Sequence, residues 1–135
     1  RTICEIKKNT DKPIIFRGHP DLLISRHGKA NVLDWVKSEE GVLWSERSIE
    51  EDFKDAWAVV AYNSNVTVDA VLRGIPVFVD DCGAMALDVA NTDLSLLNCP
   101  LRPNREQWLN NMAYTQWNLK EIRRGLPIAH LLGAE

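Results

Sequence analysis

The chain has 135 residues, 45% of them hydrophobic and 26% charged, and a formal net charge of −3. That length suits one globular domain with a single core, and the weakly acidic balance excludes nucleic-acid binding driven by bulk charge. No stretch approaches the roughly 20 apolar residues of a membrane-spanning helix, so no membrane span is expected.

The opening "RTICEIKKNTDKP" reads as the end of an earlier element, and the chain is expected to be a piece of something longer. Pro13–Phe16 is the first short apolar run and reads as a strand. Ala30–Glu40 follows as a helix with Val32, Leu33 and Val36 as its apolar stripe. Gly41–Trp44 is the second strand. "SIEEDFKDA" is a helix announced by Ser48 as N-cap, with Glu51 three residues on as its capping-box partner. Trp57–Ala61 is the third strand. "NSNVTVDAVLRG" is a helix that starts at Asn and Ser and stops at Gly74, with Pro76 preventing continuation into the fourth strand, Ile75–Val79. Several of these strands are apolar on successive residues, the pattern of strands covered on both faces. After "NCPLRPN", Arg105–Arg124 reads as one long helix ended by Gly125 and Pro127. Its apolar arc is wide enough either to sink between sheet and tail or to meet a second domain.

Strand–helix–strand alternation with short connections implies right-handed crossovers. The expected fold is α/β, a three-layer Rossmann-like domain with a mostly parallel sheet and a long C-terminal helix, spanning residues 1–135. Cys4, Cys82 and Cys99 form no CxxC pair and no Cys/His cluster, which argues against a zinc site or a disulfide scaffold and makes the cytoplasm the expected location.

Parallel sheets bind ligands outside the carboxyl ends of their strands. Four polar or Gly-containing loops leave those ends here: "RGHP", "SERS", "YNSN" and "DDCGAM". Asn63, Ser64 and Asn65 set small hydrogen-bonding groups at a helix start, either as plain caps or as a phosphate cradle with the backbone N–H groups. Asp69, further into that helix, is either a solvated acid or an acceptor for ribose hydroxyls. His19, with Pro20 fixing its turn, is either a donor to a phosphate or base carbonyl or a structural cap on the sheet edge. Arg17, with Arg26, His27 and Lys29 nearby, either adds charge over a diphosphate or belongs to scattered surface bases. Gly18 supplies a flexible point. Asp80 and Asp81 stand beside Gly83, whose missing side chain permits close approach; adjacent acids on a strand end point apart, so no metal site is expected.

A strand ending in "RGHP", followed two strands later by the "NSN" helix start and "DAVLRGIPVFV", resembles the C-terminal half of glycosyltransferases of the GT-B fold. The nearest flavour is that of bacterial capsule, Kdo and sialic-acid transferases, which use CMP-activated sugars. The resemblance covers roughly residues 13–124. It implies His19 and Pro20 at the donor nucleotide, Ser64 at its phosphate and Asp69 near the ribose, where relatives often carry Glu. Asn65 departs from the pattern, standing where a second hydroxyl is common. It further implies a CMP- or UDP-sugar as ligand, no cofactor, and a partner N-terminal acceptor-binding domain that holds the catalytic base and is missing here. On that basis the isolated domain binds a donor without turning it over. A stand-alone α/β nucleotide-binding or interaction module without catalysis, and half of a sugar-nucleotide epimerase, are the alternatives.

Overall fold

Four runs of β-branched and aromatic residues form strands, and each is only three residues long. Ile14–Phe16 (β1) pairs in parallel with Val42–Trp44 (β2), with Ile14 opposite Val42 and Phe16 opposite Trp44. Val59–Ala61 (β3) pairs in parallel with Val77–Val79 (β4), with Val59 opposite Val77. The computed structural model describes residues 2–19 and 26–133, without the side chains of 26–29. Helices separate the strands: Thr2–Asn9 (α1) precedes β1, Arg26–Ser38 (α2) precedes β2, Ile49–Asp55 (α3) precedes β3, and Val66–Leu72 (α4) precedes β4. The fold is therefore mixed α/β with parallel pairing, and among the described residues the four strands lie in two two-stranded ladders.

Two compact units divide the chain, residues 1–102 and 103–135. In the first, one apolar cluster gathers Ile3, Val36 and Val42 against Ile14, Phe16, Val32 and Trp44. A second gathers Ile6, Phe78 and Leu97 against Ile14, Ala58 and Val60. Ile14 belongs to both, and α1 feeds one residue to each through the i, i+3 spacing of Ile3 and Ile6. The opening segment, read as the end of an earlier element, forms a helix that packs into this core. Coverage on both faces holds for β4, whose three residues are all buried. It fails for the other pair, where the cross-strand neighbours Ile15 and Leu43 are both exposed.

Asn91 closes the free edge of β4. Its backbone bridges Phe78, its side-chain amide donates to the carbonyls of Val77 and Leu101 at 3.2 and 3.1 Å, and its Oδ1 accepts from Leu101 N at 2.9 Å. A buried amide with these contacts is satisfied rather than costly.

The second unit corrects the expected long helix. Glu106–Tyr114 (α5), Leu119–Arg123 (α6) and Leu126–Leu131 (α7) are separate helices. Asn118 interrupts the run: it is extended (φ −80°, ψ 164°), its side chain accepts from Lys120 N and Glu121 N, and the Glu121 carboxylate accepts from Asn118 N. Asn-x-x-Glu is a start signal, and it overrides the apolar stripe that crosses it. Thr115 closes the preceding helix, its hydroxyl donating to the carbonyls of Asn111 and Met112. Gly125, in the left-handed region at φ 74°, ends α6 as expected, while Pro127 sits in the first turn of α7 instead of ending a helix.

Candidate functional site

The loops that leave the carboxyl ends of the strands are joined two by two. After β1, Arg17 Nη1 donates to Asp52 Oδ2 and to the carbonyl of Arg47, each at 2.7 Å. Asp52 is the hub, its side chain only 12% exposed. It also receives Ser45 Oγ at 2.7 Å and Arg47 Nε at 3.0 Å, so one carboxylate ties the loop after β1, the loop after β2 and the first turn of α3. Burial works against ionisation of Asp52, but hydrogen bonds from Ser45, Arg47 and Arg17, together with the Arg17 charge, prevail and hold its carboxyl below the ordinary range.

Gly18 is buried, and the reason is steric. A Cβ there would lie 2.8 Å from the rim of the Trp44 ring. Trp44 is itself held by Phe16, with ring centroids 5.7 Å apart, and Phe16 meets the edge of Trp35 at 6.1 Å. The position read as a flexible point is therefore a gap that an aromatic ring fills. His19 is exposed at the end of this described segment. Pro20 and the side chains of Arg26, His27 and Lys29 lie outside the described residues.

After β3, Asn63 Nδ2 donates to Asp81 Oδ2 at 2.7 Å, and Asp81 Oδ1 accepts from Gly83 N at 2.9 Å. These bonds, first from the Gly83 backbone and then from Asn63, hold Asp81 in its ionised form below the usual carboxylate range. A Cβ on Gly83 would make only ordinary contacts, 3.6 Å or longer, with Asp81 and Asn63. An open hollow lies at the end of β4, lined by Val79, Asp80, Asp81, Cys82, Leu87 and Thr92.

Ser64 and Asn65 lead into α4. Asn65 occupies the cap position with helical angles and makes no side-chain cap bond. Ser64 Oγ accepts weakly from Val66 N at 3.4 Å, while the Ser64 carbonyl accepts from Thr67 Oγ1 at 2.8 Å. The capping by side chains expected of this start is thus slight. Asp69 is exposed in the first turn of α4, its carbonyl accepting from Arg73 Nη1 at 3.0 Å.

The structure therefore brings Arg17 together with Asp52, Ser45 and Arg47, and Asn63 with Asp81 and Gly83. Asp52 escapes a reading by strand-end loops because it lies four residues inside a helix. Its signal in the sequence is slender, an acid in the first turn just after a Ser-Glu-Arg-Ser loop. Among the described residues, no three His, Cys, Asp or Glu side chains gather as a metal-binding group. No protein-family model, no curated protein and no solved structure matches the chain.

Proposed function

We propose that the chain is the nucleotide-sugar-binding domain of a glycosyltransferase of the GT-B type, with its strand pairs belonging to one three-layer Rossmann-like fold. It works in the cytoplasm beside an acceptor-binding domain that supplies the base. One observation carries the reading: the polar loops leave the carboxyl ends of parallel strands, and side-chain bonds hold them in pairs. A grip on a nucleotide needs such loops fixed before the ligand arrives.

In this reading Arg17 is a brace, since Asp52 and the Arg47 carbonyl occupy its Nη1. The nucleotide falls to His19 and Pro20, the phosphate to Ser64 with its neighbours Asn63 and Asn65, and the ribose to Asp69. Donors fixed at the phosphate stabilise the charge that grows there as the sugar departs, while the missing domain deprotonates the acceptor hydroxyl. The donor is a CMP- or UDP-sugar, held without a cofactor of the domain's own.

Thermal unfolding with a panel of nucleotides tests this. CMP or UDP is expected to raise the melting temperature, and Ser64→Ala combined with His19→Ala to remove the rise. A wild-type chain indifferent to every nucleotide would overturn the assignment.

A further inference from the structure

The last helices turn their apolar faces outward. In α7 and the residue that caps it, Ile128, Leu131 and Leu132 fall within an arc of about 100° at the helical repeat. They are 64%, 83% and 76% exposed. His130 falls on the far side, where its ring lies 4.9 Å from Tyr114 and 5.6 Å from Trp117. The imidazole thus makes the contacts and the leucines meet solvent, the reverse of a helix that closes a core. α6 repeats the feature, with Leu119 and Ile122 spaced i, i+3 and both exposed. Lys120 and Arg123 on this short helix, and Arg124 at its C-cap, are exposed. Glu121, the one acid between Leu119 and Leu132, is committed to the Asn118 cap.

This run is therefore basic within a chain whose net charge is −3. An apolar face flanked by cations calls for an apolar surface that carries negative charge. A second copy is a poor match, because symmetric pairing through this face would bring two copies of the same basic cluster into one interface. We propose that residues 119–132 rest on an anionic lipid bilayer, with Leu and Ile side chains entering the headgroup–acyl boundary and the cations at the level of the phosphates. The segment lies on the surface and does not cross it; no helix among the described residues is long and apolar enough to span. The inference stands apart from the nucleotide reading.

Co-sedimentation of the full chain with vesicles decides the matter. Phosphatidylcholine vesicles containing roughly one-third phosphatidylglycerol, an anionic surface of the kind that attracts basic segments, should bind the chain. Pure phosphatidylcholine should bind far less, and added salt should weaken the anionic binding. Changing Lys120, Arg123 and Arg124 to Gln should lower the affinity about fivefold per cation removed. Leu131→Ser with Leu132→Ser should abolish binding at an unchanged melting temperature. Absence of binding, equal binding to both vesicles, or binding that ignores both variants would overturn the proposal. So would a lowered melting temperature in the Leu variant, or a lipid-free dimer that this variant dissolves.

Discussion

Gly18 and Asp52 govern the loop after β1 in different ways. The Trp44 ring occupies the volume that a side chain at position 18 would need. Trp44 cannot swing aside cheaply, because its ring packs against Phe16 at a tilt of 35°. Gly18→Ala should therefore destabilise the chain by about 1–3 kcal/mol, the range for overpacking a filled site, as read by urea denaturation. Asp52 acts through charge. Its folded-state pKa lies below the ordinary 3.8, so the unfolded state binds the proton more readily. The contribution to stability is then complete above the unfolded value and is lost as pH falls through the folded one. Glu51, Asp81 and Asp93 are also lowered and blur the total. The difference between wild type and Asp52→Asn isolates the hub, and that difference should shrink as pH drops below about 4. A difference that stays constant from neutral to acid pH would contradict the account.

At the scale of elements, caps decide where helices begin and end. Ser48 and Glu51 make the reciprocal box that their spacing implies, with Glu51 N donating to Ser48 Oγ at 3.2 Å and Ser48 N to Glu51 Oε2 at 2.9 Å. Gly74, at φ 78°, ends α4 in a Schellman motif, with Gly74 N donating to Val71 O and Ile75 N to Ala70 O, each at 3.0 Å. These boundaries were legible because each signal is local and nothing competes with it. The second box, Asn118 with Glu121, was equally local but lay inside an apolar stripe that favoured one unbroken helix. Asn118→Ala should cost about 1 kcal/mol of stability, and helix content by circular dichroism should not rise. A gain in helicity would mean that the break has another cause.

The four strands were legible to within two residues at each end, since runs of Val, Ile and aromatic residues between turn signals have few other uses. Long-range partners were not. Arg17 and Asp52 are 35 positions apart, and Asn63 and Asp81 are 18 apart. No spacing rule joins such pairs; only the parallel ladders bring their loops side by side. The exposure of Ile15 and Leu43 was hidden for the same reason, as an apolar run does not state which of its faces will be covered.

For the molecule as a whole, α1 and Ile14 link the apolar clusters to which the two ladders contribute, while Asp52 and Asp81 fix the loops that leave the strands' carboxyl ends. The central claim is that loops from different ladders hold one anion together. Amide chemical-shift mapping of the full chain during titration with CMP and UDP tests this most directly. The account predicts that one of the two nucleotides moves Gly18, His19, Asn63 and Ser64 along a single binding curve. Shifts confined to one ladder, or none at any of the four, would contradict it.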